Sequence, residues 1–223
     1  MDKLLTLQIQ RTSRTKIGEA VHSYWQEFKV TVPQNAYTLD ALEAAWRLDP
    51  SLMFRHSCHH ASCGSCGIRI QGRERLSCIT PAFGVARRGV LRLKPLRNFP
   101  VVADLVVDMS SLAHKLDEVI APVVNDIQSA KQFVNCIECG LCISACPVSA
   151  TSRDYLGPAV LAAAKSNMEL VDVRSLVEGP NGVWRCHSAF ECTEVCPAGV
   201  EPATTIMNLR KELMINAIRR KGN

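Results

Sequence analysis

Eleven cysteines in this 223-residue chain fall into three groups. Cys58, Cys63, Cys66 and Cys78 are spaced C-x4-C-x2-C-x11-C. Cys136, Cys139, Cys142 and Cys146 follow as C-x2-C-x2-C-x3-C, with Pro147 next. Cys186, Cys192 and Cys196 form C-x5-C-x3-C, with Pro197 next. Thiolates gathered this closely are ligands for a soft metal. Disulfides are the poorer reading, because they need an oxidising compartment and disulfide scaffolds are usually much shorter. The N-terminal M-D-K-L-L-T-L-Q-I-Q-R has no long apolar core and no small-residue cleavage site, so no secretory signal is expected. Structural zinc usually combines two well-separated close pairs, whereas here the close pairs overlap in one run. Iron–sulfur clusters use every cysteine, with no thiol left over, and a chain so built moves electrons.

The first group has the plant-type [2Fe–2S] spacing, with a distant fourth ligand, and the second has the bacterial-type run ending in C-P. In two-cluster ferredoxins the last cysteine of each run ligates the other cluster. That rule pairs Cys136, Cys139 and Cys142 with Cys196 on a [4Fe–4S] cluster, and Cys146 with Cys186 and Cys192. Ala189 stands where a middle cysteine would complete the third group. Three thiolates suit a [3Fe–4S] cluster, or a [4Fe–4S] cluster with a non-cysteine fourth ligand; the first is expected. His56, His59 and His60 lie in the first loop, and a Rieske site would use two histidines. With four cysteines already in register, they read as polar loop residues near the cluster edge.

The elements that must hold these loops divide into two domains, expected at 1–98 and 99–223. Leu5, Leu7 and Ile9 alternate with polar residues, as do Phe28, Val30 and Val32 before Pro33, and both runs read as half-buried strands. Leu39, Leu42, Ala45, Trp46 and Leu48 recur at helical spacing, with Trp46 expected in the core. Strands are expected at 67–70, 75–79 and 90–94, with a turn at Gln71-Gly72. This order, with ligands in the loop after the helix, matches the β-grasp plan of plant-type ferredoxins. Gly64 and Gly67 flank the close pair where backbone approaches the cluster. After an apolar connector, F-P-V-V-A-D-L-V-V-D, the chain turns helical. Gly157-Pro158 opens one helix, and a last helix spans about 203–220 with Ile206, Leu209, Leu213 and Ile218 on one face. Arg219, Arg220 and Lys221 complement the dipole at its end. The fold class is therefore α+β: a β-grasp [2Fe–2S] domain followed by an all-α two-cluster domain.

Apolar residues make up 47% of the chain, enough for real cores, and the formal charge is +5. Three oxidised clusters with their thiolates carry roughly −6 together, so the holoprotein is nearly neutral and nucleic-acid binding is not indicated. No run of about eighteen uncharged apolar residues exists, so nothing is expected to span a bilayer.

The ordered motifs F-R-H-S-C-H-H-A-S-C-G-S-C-G, L-S-C-I-T, K-P-L-R-N-F-P-V-V-A-D-L-V-V-D, C-I-E-C-G-L-C-I-S-A-C-P, D-Y-L-G-P-A-V-L and R-C-H-S-A-F-E-C-T-E-V-C-P-A-G-V-E-P cover almost the whole chain. By them the chain resembles the iron–sulfur subunit of succinate dehydrogenases and fumarate reductases. The resemblance implies an electron-transfer subunit with no succinate site or catalytic acid–base residue of its own. Its partners would be an FAD flavoprotein that interconverts succinate and fumarate, and membrane anchor subunits, in some members a cytochrome b. Electrons would pass through [2Fe–2S], [4Fe–4S] and [3Fe–4S] clusters to a quinone, with the chain held peripherally on the cytoplasmic face of the membrane. His187 matches a family position near the quinone. Many ubiquinone-linked members carry tryptophan after the matching C-P, but here the run is C-P-V-S-A-T-S with Ala150 and Thr151, which favours menaquinone. The alternative is a subunit of a different flavoprotein oxidoreductase or of a soluble fumarate reductase. Those soluble forms often carry further cysteine-rich domains, none of which follows here before Asn223.

Overall fold

A computed structural model describes residues 1–13, 22–119, 135–167 and 173–221, with residues 220 and 221 described by backbone alone. Contacts divide the chain into two compact units: Met1–Asp108 with Ile137–Leu141, and Met109–Cys136 with Cys142–Asn223.

In the N-terminal unit, strands β1 (Asp2–Thr12) and β2 (Ser23–Pro33) pair antiparallel along their full length. Helix α1 (Thr38–Leu48) follows, then β3 (Gly67–Ile70) and β4 (Arg73–Leu76), the short helix α2 (Ala82–Val85) and β5 (Val90–Lys94). The sheet order is β2-β1-β5-β3-β4, with β5 parallel to β1 and antiparallel to β3. Alternation puts Leu5, Leu7 and Ile9 on one face of β1 and Phe28, Val30 and Val32 on the same face of β2, all buried. Ala41, Leu42 and Ala45 of α1 close over them together with Ile68, Ile70, Leu91 and Leu93. The expected turn at Gln71-Gly72 is present, both residues having positive φ (52° and 85°).

Two readings are corrected here. Trp46 is 46% exposed rather than core: it has the angular position of the buried stripe of α1 (Thr38, Leu39, Ala41, Leu42 and Ala45) but lies in the last turn, after Ala45, the final buried residue of the helix. The strand expected at 75–79 ends at Leu76, and Ser77–Ile79 is a 3-10 turn instead.

The unit extends past residue 98, through the hairpin of β6 (Val101–Ala103) and β7 (Val106–Val107). The reason is a buried carboxylate. Asp104, in the hairpin turn with φ 48°, accepts the amides of Thr12 (2.8 Å) and Met53 (2.8 Å). It also pairs with the Arg11 Nε at 2.9 Å. Arg11 reaches Asp49 (3.1 Å) and the Ser51 hydroxyl (2.9 Å) as well. Burial opposes the guanidinium charge, but Asp104 and Asp49 outweigh it and hold its pKa above the ordinary value. Leu105 joins the core alongside.

The second unit is helical. Helix α3 (Ser110–Asp117) precedes α4 (Leu141–Ala145), α5 (Pro147–Thr151), α6 (Pro158–Asn167), α7 (Arg174–Glu178), α8 (Glu191–Glu194) and α9 (Pro202–Lys221). Every residue from Pro158 to Ala164 is buried, so α6 is the axis of this unit. Helix α9 buries Ala203, Ile206, Leu209 and Leu213, but Ile218 is 70% exposed, contrary to the single face expected. Five residues beyond Leu213 is about 140° off that stripe. Arg219 lies in the last turn of α9 as expected; the side chains of Arg220 and Lys221 fall outside the described residues.

Removing Asp104 should strand Arg11 with Asp49 alone. Asp104→Ala is expected to destabilise the holoprotein by about 3 kcal/mol in denaturant melts followed by far-UV circular dichroism, and Asp104→Asn by clearly less, since the amide oxygen still accepts hydrogen bonds.

Candidate metal centres

None of the eleven cysteines, all among the described residues, forms a disulfide. In the N-terminal unit the first group comes together. Cys78 sits on the 3-10 turn after β4, buried with Cys66 at the start of the hairpin. Thr38 fixes that turn to α1: its amide (2.8 Å) and hydroxyl (3.0 Å) both donate to the Thr80 carbonyl, and the Thr80 hydroxyl donates to Leu76 O (2.7 Å). Cys78 lies close enough to interact with both Cys66 and Cys58, and Cys58 with Cys63. The loop turns its amides inward. Ser62 and Cys63 donate to the Cys58 sulfur at 3.2 and 3.3 Å, His60 adds a third amide, and Ala61 donates to Cys78. Left-handed backbone at His59 (φ 62°), Ala61 (φ 60°) and Gly64 (φ 69°) aims them.

The electrostatics follow from that nest. The His60 amide leads a set of donors that lowers the Cys58 pKa to about 7. The Ser65 hydroxyl, 3.1 Å from the Cys63 sulfur, leads the lowering there. Burial pushes Cys78 up to about 11. Four converging sulfurs ringed by N–H donors fit a thiolate-bound iron–sulfur cluster, since hydrogen bonds to the sulfurs offset its negative charge. Gly64 and Gly67 do allow close approach: a Cβ at Gly64 would lie 2.3 Å from Ile137 O, and one at Gly67 3.1 Å from Cys139 O. The neighbour they admit is the 137–141 segment.

In the helical unit, Cys146 at the N-terminus of α5, Cys186 at the end of the 3-10 turn Val183–Arg185, and Cys192 on α8 gather into a second group. Cys192 feels both Cys146 and Cys186, and burial pushes its thiol up to about 11. The Ser188 amide donates to the Cys186 sulfur at 3.4 Å. These three sulfurs are the set expected to share a cluster, and the proximity of Cys146 and Cys186 to Cys192 and the burial of Cys146 and Cys192 fit one.

Two residues without a role in the sequence reading build this pocket. Tyr155 is 2% exposed, and its hydroxyl has no hydrogen-bond partner among the described residues. The sulfurs of Cys186, Cys146 and Cys192 lie around it; burial first, then these sulfurs, raise the phenol pKa. Arg210 of α9 donates to the carbonyls of Val183 (2.9 Å), Trp184 (3.3 Å) and Cys186, and its guanidinium lies 6.0 Å from the Trp184 ring centre. It anchors the segment that delivers Cys186. Tyr155 belongs to D-Y-L-G-P, so a motif pointed at it; Arg210 carried no local signal.

The other four cysteines are placed as follows. Cys139 lies in the 137–141 segment that groups with the N-terminal unit, while Cys136, Cys142 and Cys196 belong to the helical unit. Cys142 stands on α4, and the Cys196 sulfur accepts the Val200 amide at 3.4 Å. His187 and Ala189 are exposed on the loop between Cys186 and Cys192.

Residues 6–114 match the family model for a 2Fe-2S iron-sulfur cluster binding domain, and residues 132–200 that for a 4Fe-4S dicluster domain. The chain is 35% identical over 219 residues to the fumarate reductase iron-sulfur subunit of Mycobacterium tuberculosis, covering 88% of each chain. It is 31% identical to the succinate dehydrogenase iron-sulfur subunit of Coxiella burnetii, covering 86% of this chain and 90% of that one. A chain of the Mycobacterium smegmatis Sdh1 complex in the apo form superposes with a TM-score of 0.82 at 25% identity, covering 97% of this chain and 98% of that one. With two cluster-binding folds in this order and relatives matched along nearly their whole length, the chain belongs to the family of iron–sulfur subunits of fumarate reductases and succinate dehydrogenases.

Proposed function

We propose that this electron-transfer subunit carries three clusters in series between an FAD flavoprotein, which interconverts succinate and fumarate, and a quinone at a membrane anchor. Cys58, Cys63, Cys66 and Cys78 hold a [2Fe–2S] cluster. Cys136, Cys139, Cys142 and Cys196 hold a [4Fe–4S] cluster, and Cys146, Cys186 and Cys192 a [3Fe–4S] cluster. The observation that carries this reading is the meeting of Cys146 with Cys186 and Cys192, since these come from two different runs of the sequence, as crossed ligation requires. Each bound cluster supplies one-electron transfer.

The chain's own residues hold and tune those groups. The inward amides of residues 60–63 stabilise the more negative state of the first cluster. The buried, unpartnered Tyr155 hydroxyl beside Cys186 would donate to the sulfurs of the bound third cluster and do the same there, while Arg210 fixes the Cys186 backbone. His187, exposed beside Cys186, is placed at the quinone end, and the lack of tryptophan at Ala150 and Thr151 supports menaquinone as acceptor. Among the described residues no helix is long and apolar enough to cross a membrane. In this reading, which rests on the family resemblance, anchor partners hold the subunit on the cytoplasmic face.

The natively purified complex should contain about nine irons per chain of this subunit. Its oxidised electron paramagnetic resonance spectrum should show a [3Fe–4S] signal that succinate removes, and fumarate should reoxidise the dithionite-reduced clusters. Clusters that respond to dithionite but to neither dicarboxylate would mean that a different flavoprotein is the donor.

Ala189→Cys should convert the third site toward [4Fe–4S], weakening the oxidised signal, lowering the potential and slowing quinone reduction. An unchanged spectrum would rule out the ligand assignment. Tyr155→Phe should leave iron content unchanged and lower the midpoint of the third cluster by roughly 60 mV, one tenfold step of a one-electron equilibrium; an unmoved midpoint would leave the phenol a packing role only.

A further inference from the structure

A group of ligating side chains outside the thiol sets stands in the N-terminal unit. Glu43 projects from the middle of α1, and His56 and His59 from the loop around Cys58. His56 Nδ1 lies 3.1 Å from His59 Nε2, and Glu43 Oε1 lies 3.9 Å from the first and 3.7 Å from the second. The three atoms thus face one another across a common point. A tetrahedral zinc site with bonds of 2.0–2.1 Å separates its ligand atoms by about 3.3 Å, so contractions of a few tenths of an ångström on two edges would complete the triangle.

The positions are built rather than incidental. Glu43 rides on a helix whose neighbours Ala41, Leu42 and Ala45 are core residues. The His56 ring stacks on Phe54, which packs against that core, with centroids 5.4 Å apart and planes 25° from parallel. His59 meets the His56 ring edge-on at 85°, on a backbone held at φ 62°. Glu43 has no Lys or Arg partner among the described residues; its ion-pair neighbours are these two imidazoles. As a bare pair, the imidazoles need one proton between them to make their hydrogen bond. A dication instead uses both lone pairs and answers the carboxylate. Side-chain exposures of 28% for Glu43, 39% for His56 and 47% for His59 leave room for water at a fourth position.

We propose that Glu43, His56 and His59 form a binding site for a divalent transition-metal ion of the zinc class, with a water-accessible fourth position. Two imidazoles and one carboxylate are a ligand set that zinc accepts in open sites, and imidazole equally suits copper and nickel. The ion would cross-link α1 to the loop bearing Cys58 and Cys63, distinct from the thiolates of that loop.

The test is calorimetric titration of the natively purified complex with zinc chloride, after chelator washing and with its iron content measured before and after. Two variants accompany it: Glu43→Gln, which keeps the size of the side chain, and His59→Asn, because Asn tolerates the left-handed backbone required there. The expected result is one zinc per chain of this subunit, with no iron released, and affinity reduced roughly tenfold or more in each variant. Zinc binding of equal stoichiometry and affinity in all three proteins, binding accompanied by iron release, or no binding would each overturn the site. The iron content measured beforehand reports separately on the three-cluster reading.

Discussion

Three or four thiols brought into one pocket become a concentration of negative charge once a metal displaces their protons. Something other than bulk water must answer that charge, and most of the local structure follows from how it does so. In the N-terminal unit the answer is backbone. Amides of residues 60–63 point at Cys58 and Cys78, and they can do so only because His59 and Ala61 adopt left-handed φ. For residues with a Cβ that conformation costs about 1–2 kcal/mol each. It persists where the flanking structure leaves no choice. Here the flanks are α1, locked over the sheet by its apolar stripe, and the 3-10 turn at Cys78, held by Thr38 and Thr80.

The helical unit meets the same demand differently. Cys146 and Cys192 are buried among helices; the Ser188 amide donates to the Cys186 sulfur, and the Thr193 and Cys192 amides to that of Cys192. Desolvation outweighs these donors, which is why the Cys192 thiol is raised. A metal must displace that proton with its own charge. The pocket is correspondingly dependent on its frame. Arg210 donates to the carbonyls of Val183, Trp184 and Cys186, tying the short 3-10 turn and the residue after it to α9.

Much of this was legible in the sequence because ligand spacing is a covalent constraint. A loop that wraps a cluster needs its cysteines at fixed intervals whatever the rest of the chain does, so the grouping of Cys58, Cys63, Cys66 and Cys78 could be read before any fold was known. Strand alternation in β1 and β2 was equally plain, as one face is wholly apolar. What periodicity could not settle was where a stripe ends. Trp46 and Ile218 are both apolar, yet Trp46 follows the last buried residue of α1 and Ile218 lies off the buried stripe of α9. The end of the N-terminal unit was misjudged for a different reason. Asp104 looks like a polar interruption in an apolar connector, and only its partners Thr12 and Met53, distant in sequence, reveal it as a buried tie. Tyr155 and Arg210 share this character, since their roles are defined by groups tens of residues away.

Ala189 shows the limit of spacing in the other direction. It lies exposed between Ser188 (φ 56°) and Phe190 (φ 65°), on a loop where burial does not dictate the side chain. A thiol adds one sulfur to the alanine methyl, and no core has to be repacked to hold it. The missing cysteine is therefore not a consequence of fold stability. In the proposed third site, the residue at 189 would decide how many thiolates are offered, and hence how much negative charge collects beside Cys146, Cys186 and Cys192. One thiolate fewer, with the Tyr155 phenol beside Cys186, would lower the cost of adding an electron there. Ligand count and the buried phenol act in the same direction, which suits the proposed third site for the high-potential end of the chain, where electrons leave for a quinone.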